Sequence, residues 1–150
     1  MITGLLHLHS SFRYLVLLLI ILAIGDAIVA MSTGKAYNKT SKLFALGALI
    51  FSHIQLLVGL LLYFVGPKGF NTIMHVEGFM KDSVARFYAV EHISMMIIAI
   101  ALVTVGYSRA KKQEESKRKY KTVAIFYGIA LLIIFAMIPW PFMKEFGTWF

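Results

Sequence analysis

The sequence predicts an all-α membrane protein, with four transmembrane helices in an up-down-up-down bundle that forms a single domain over residues 1–150. The first observation behind this prediction is composition: 59% of the residues are hydrophobic and the mean hydropathy is +0.78, above the roughly half-apolar usage of soluble domains. The second is that the apolar residues form four long runs, each near the ~20 residues that cross a bilayer. The third is that basic residues concentrate in two of the segments that separate these runs.

The four predicted spans follow from the apolar runs and from what ends them. They cover residues 5–31, 43–65, 84–107 and 122–140. The first is interpreted as a permanent span rather than a cleaved signal peptide, because no Lys or Arg precedes Arg13 and the apolar stretch is too long. The fourth ends at Pro139-Trp140-Pro141, where proline stops a helix and tryptophan favours the membrane interface.

Charge predicts the orientation of the bundle. The segments 32–42 and 108–122 hold ten of the 15 basic residues and two acidic ones, so they carry the entire net charge of +8. By the positive-inside rule these loops are cytoplasmic, which places both termini on the outer side of the inner (cytoplasmic) membrane. The pI of 9.8 is then explained by topology and by anionic lipid headgroups, and we do not expect nucleic acid as a partner.

Ionisable side chains lie within the predicted spans and at their edges, where such groups usually face the bundle interior and find partners. Those considered for a site are His9, Arg13, His53, Glu91 and His92, and Asp26 lies near the cytoplasmic end of the first span. His9 and Arg13 are four residues apart and share one helix face. Glu91 lies at about the depth of Arg13, so we expect the two to pair. Gln55 of the second span completes a predicted polar network of Arg13, Glu91 and Gln55.

Histidines on separate spans favour a haem site. Neutral imidazoles from two helices can ligate haem iron axially. The chain has no C-x-x-C-H motif, so a haem here is non-covalent and b-type. The candidate ligands are His9, His53 and His92. The predicted pair is His53 and His92, with His9 as an alternative ligand or haem-edge partner, and Arg13 is a candidate partner for the haem propionates.

Four segments of the chain resemble a group of short, four-span membrane proteins of Bacteroidota that are labelled cytochrome b. They are "HLHSSFRYLVLLL" at 7–19, "SHIQLLVGLLLYFV" at 52–65, "RFYAVEHISMMIIAIALVTVGYSRAKK" at 86–112 and "KTVAIFYGIALLIIFAMIPWPF" at 121–142. The resemblance implies a membrane-embedded redox protein with haem b, which exchanges electrons with quinol or with protein partners of the respiratory chain.

Two other functions stay open at this point. One is a haem-free assembly factor or a subunit of a respiratory or transport complex, in which His, Arg and Glu side chains form a structural network. The other is a copper or zinc site that uses His9, His53, His92 and Glu91. The chain has no cysteine, and it shows no Ser-His-Asp order and no phosphate loop, so the sequence does not establish whether the protein is an enzyme.

Overall fold

The computed structural model describes residues 2–143, and within this range it contains helices and no β-strand. In chain order the helices are α1 (Ile2–Thr33), α2 (Lys39–Val65), the short α3 (Phe70–His75), α4 (Ser83–Lys112) and α5 (Ser116–Met137). Within the described residues, α1, α2, α4 and α5 are each long and apolar enough to cross a membrane. This confirms the predicted all-helical fold with four membrane-length helices, and it indicates a multi-pass membrane protein.

The ends of the helices differ from the predicted spans in two places. At the basic loops the helices continue past the apolar runs, so that only residues 34–38 separate α1 from α2 and only residues 113–115 separate α4 from α5. At the opposite end, α5 stops at Met137, short of the predicted boundary at residue 140. The reason is Pro139, which restricts the preceding Ile138 to an extended backbone with a ψ of 127°.

Each long helix packs mainly against two others. α1 and α4 both pack against α2 and α5, so α1 and α4 face each other across the bundle. The half of the bundle next to the two short connections is densely filled, mostly by small or β-branched side chains, which let helix backbones approach closely. These buried side chains include Ile20, Ala23, Ala27, Ala30, Ala45, Ala48, Val103, Ala110, Val123 and Ala130.

Two buried tyrosines of α5 satisfy their hydroxyl groups inside this packed half. The Tyr127 hydroxyl donates to the Ala45 carbonyl at 2.7 Å, and the Tyr120 hydroxyl donates to the Ala36 carbonyl at 3.1 Å. Tyr120 also lies 2.9 Å from the Ser41 hydroxyl. Buried polar groups that are fully paired fix the relative positions of the elements that they join.

Gly106 lies at the contact between α4 and α5, and its replacement should separate them. An added Cβ would lie 2.5 Å from the Cβ of Phe126. Because a Cβ atom is bonded directly to the backbone, no rotation of a side chain can remove this clash. We expect Gly106→Ala to destabilise the protein by about 1–3 kcal/mol, the usual cost of overpacking, although alanine has the better helix propensity. The measurement is the thermal unfolding midpoint in detergent.

The matched control for this prediction is Gly128→Ala on α5, where an added Cβ meets nothing within 4 Å. Because it gains helix propensity without a clash, it should keep or raise the midpoint. A Gly106→Ala protein as stable as this control would show that close approach at Gly106 is not required.

Candidate cofactor-binding cavity

A cavity of about 470 Å³ lies between the four long helices, in the half of the bundle that holds the start of α1 and the connection after α2. Its volume falls within the ~300–1,000 Å³ that is typical of ligand sites. Ile2 and Lys68 line its outer end, and Val16 and Ile100 line its inner end. Most of the remaining wall consists of leucine, isoleucine, glycine and proline, which suits an apolar ligand held by a few polar groups.

Four residues that line this cavity each have a buried polar atom without a hydrogen-bond partner among the described residues. Among the described residues, buried side-chain atoms without a hydrogen bond are Nδ1 of His9, Nε of Arg13, Oγ of Ser52 and Oε1 of Gln55, and all four residues line the cavity. A buried polar atom left unpaired costs about 1–3 kcal/mol. These unpaired atoms belong to residues of α1 and α2 on the cavity wall, where they could hydrogen-bond to a bound molecule.

Two imidazoles approach each other inside the cavity. His9 from α1 and His92 from α4 have ring centroids 6.4 Å apart and ring planes inclined at 72°. The Nδ1 atom of His92 lies 2.7 Å from the Met137 carbonyl of α5. Because a carbonyl only accepts, Nδ1 carries the proton, and the neutral ring keeps its lone pair on Nε2. Tethering of this kind is what orients histidines that bind metals.

His9 is held in place by α2. The Gln55 side-chain amide donates to the His9 carbonyl at 2.8 Å. The ring itself packs onto the backbone at Gly59, where an added Cβ would lie 2.9 Å from the His9 Cε1 atom. Since glycine has no side chain, this position leaves room for the imidazole to approach the α2 backbone.

A π-helical turn at Phe87–Glu91 lies directly before His92 within α4. The His92 amide donates to the Phe87 carbonyl five residues earlier, instead of four. Such turns insert one extra residue into an α-helix and occur frequently at functional sites. The spacing of apolar residues gives no signal for this turn, so the sequence analysis missed it.

The π turn also explains why Glu91 does not pair with Arg13 as predicted. Residues five apart lie on different faces of an α-helix but come close in a π turn. Glu91 therefore accepts from Arg86 on its own helix, with 2.6 Å between Nε and Oε1. Arg13 instead donates to the Tyr14 hydroxyl at 3.0 Å. Of the predicted polar network, Arg13 and Gln55 line the cavity, and Glu91 does not.

His53 lies outside the cavity. Its side chain is exposed on the surface of α2, with Nδ1 2.8 Å from the Leu49 carbonyl and Nε2 3.4 Å from the Thr104 hydroxyl. The structure thus brings His9, which the sequence analysis kept as an alternative ligand, close to His92, and it does not bring His53 to either of them. Ser52, one residue earlier on α2, occupies the inward position.

Charge in the cavity wall has one sign. Arg13 is only 8% exposed, Lys68 lies at the outer end with its ammonium 4.5 Å from the centroid of the Tyr88 ring, and none of the described lining residues is acidic.

The residues considered for a copper or zinc site, His9, His53, His92 and Glu91, do not all come together in the structure. Residues 2–143 contain no group of three or more His, Asp or Glu side chains that could hold a metal ion.

Comparisons of the chain with models of protein families, with curated proteins and with solved structures find no match. The fold and the cavity by themselves define the class, which is a four-helix membrane protein with two histidines close together in an internal cavity.

Proposed function

We propose that the protein is an integral membrane electron-transfer protein of the b-type cytochrome kind, in which His9 and His92 would hold the iron of a haem b in the cavity. The observation that carries the proposal is the meeting of two imidazoles from non-adjacent helices inside a cavity of ligand size, with ring centroids 6.4 Å apart. With metal–nitrogen bonds of about 2 Å, two imidazoles on opposite sides of one metal ion have ring centres roughly 6 Å apart.

The donor set of the cavity suits haem. His92 offers Nε2 because Nδ1 is bound to the Met137 carbonyl, and His9 has an orphaned ring nitrogen. Leu56, Leu60 and Ile93 supply apolar wall, which excludes water from a bound macrocycle. No cysteine is present, so attachment is non-covalent. When bound, haem supplies one-electron redox chemistry.

The orientation that we propose follows from charge. The chain crosses the membrane up-down-up-down, with the basic loops 32–42 and 108–122 on the cytoplasmic side of the inner membrane. Both termini and the connection between α2 and α4 then lie outside, and so does the outer end of the cavity. A haem in this cavity would exchange electrons with quinol or with a respiratory partner protein close to the outer face of the bilayer.

A reduced-minus-oxidised absorption spectrum tests the proposal. The full chain is produced in haem-replete cells, purified in mild detergent and reduced with dithionite. We expect a Soret shift and a sharp α-band, which are typical of a haem with two axial imidazoles. A folded, monodisperse protein without either signal would exclude a b-type cytochrome.

A haem-free subunit of a respiratory or transport complex is the second candidate, and the exposed face of α2 favours it. His53, Leu57 and Leu61 are exposed on this helix, and an ionisable side chain in the apolar region of a membrane usually faces protein or a water-filled cavity rather than lipid. In this case His53→Ala should release a co-purifying membrane partner without any spectral consequence. Retention of the same partners by His53→Ala and the unaltered chain would remove this candidate.

A further inference from the structure

We propose that the cavity binds its occupant through a carboxylate, which is held at the inner end by Arg13 of α1 and Ser52 of α2. Arg13 is 8% exposed and Ser52 is 1% exposed. Each has an orphaned atom, Nε of Arg13 and Oγ of Ser52, and each lines the cavity. Both atoms can donate a hydrogen bond, so together they are suited to an anionic acceptor.

The pairing of α1 with α2 places these two residues at the same depth. Gln55 bonds to the His9 carbonyl, and the Phe12 and Phe51 rings lie 5.5 Å apart. Since the two helices run in opposite directions along this contact, Ser52 comes opposite Arg13. Arg13 follows His9 by four residues and therefore lies about 6 Å further into the bundle.

Among residues 2–143, no carboxylate pairs with Arg13. A guanidinium stays protonated at all relevant pH values, and the Tyr14 hydroxyl that it contacts at 3.0 Å is neutral. None of the described cavity-lining residues is acidic, and Glu91 is bound to Arg86. A cation buried in a membrane-spanning helix usually pairs with an anion or with backbone carbonyls, and the guanidinium fork matches a carboxylate in particular.

The chemistry of the occupant is thus a carboxylate attached to an apolar body. Such a group has two sources, an acid side chain of a porphyrin or a fatty acid from the bilayer. The porphyrin case rests on the proposed function. It also turns one carboxylate toward the bundle interior at Arg13, away from Lys68 at the outer end of the cavity.

The test compares acids with their esters on the unaltered protein in phosphatidylcholine nanodiscs. One arm titrates the haem-free protein with haem and with haem dimethyl ester, followed by absorbance. The other arm uses the fluorescent fatty acid cis-parinaric acid and its methyl ester, with empty nanodiscs as the blank. At least one acid should bind tenfold or more tighter than its ester, which corresponds to about 1.4 kcal/mol.

Variants then locate the selectivity. Arg13→Gln should abolish the preference for the acid, Arg13→Lys should keep part of it, and Arg109→Gln, an exposed residue at the far end of α4, should keep all of it. Equal affinity for acid and ester in both arms would overturn this inference, and so would selectivity that depends on Lys68 instead of Arg13. Selective fatty-acid binding without haem binding would support the inference and reject the proposed function. Haem binding without any preference for the acid over the ester in either arm would support the proposed function and reject the inference.

Discussion

Replacing His92 with alanine should remove the haem spectrum from the purified protein, and His9→Ala should do the same. Each substitution deletes one of the two imidazoles that meet in the cavity. Loss of a residue that merely orients a metal ligand typically costs 10–100-fold in metal affinity. Loss of the ligand itself should therefore weaken haem binding by more than about 100-fold. The measurement is the amplitude of the reduced-minus-oxidised α-band per mole of folded chain.

The matched control is His53→Ala, which removes an imidazole of the same kind from the outside of α2. It should leave the spectrum and the haem content unchanged. Added imidazole should partly restore the spectrum of His9→Ala, because free imidazole can bind in the space left by the His9 side chain. The opposite pattern, a spectrum lost in His53→Ala and kept in His9→Ala, would contradict the ligand assignment and favour the His53–His92 pair.

The fold could be predicted well because it depends on properties that the sequence states directly. Apolar runs of membrane length can be recognised without any knowledge of the neighbouring helices. The errors at the helix ends have local causes. α5 stops early because of the backbone restriction before Pro139, and the helices at the basic loops continue because nothing in residues 108–112 breaks a helix.

The choice of histidine pair could not be made from the sequence. Depth along a helix follows from residue number, but the direction of a side chain depends on how the helix is rotated in the bundle. His53 and Ser52 are neighbours in the chain, and only the packing of α2 against α1 decides which one faces inward. That rotation is fixed by Gln55 and Gly59, both of which contact His9. The predicted Arg13–Glu91 pair fails for a similar reason, because a π turn has no periodic signature.

Enlarging Gly59 should disturb the proposed haem site by displacing the His9 ring, without removing either of the two proposed ligands. An added Cβ would lie 2.9 Å from the His9 Cε1 atom, below ordinary van der Waals contact, so the ring has to move. Gly59→Ala should shift it by a few tenths of an ångström and lower the haem affinity modestly. Gly59→Leu should expel the ring, and we expect the affinity to fall at least tenfold, or about 1.4 kcal/mol.

Gly47→Ala is the matched control, because it is a second glycine of α2 whose added Cβ would lie 3.7 Å from the nearest side chain, that of Leu19. Both alanine variants gain about 1 kcal/mol of helix propensity, so both should be at least as well folded as the unaltered chain. Only the Gly59 variants should change the spectrum, with Gly59→Leu resembling His9→Ala. Gly59 carries no ligand atom. If Gly59→Leu and His9→Ala have similar spectra, the haem affinity depends on where the His9 ring is placed. A Gly59→Leu protein with a normal spectrum would mean that His9 is not an axial ligand.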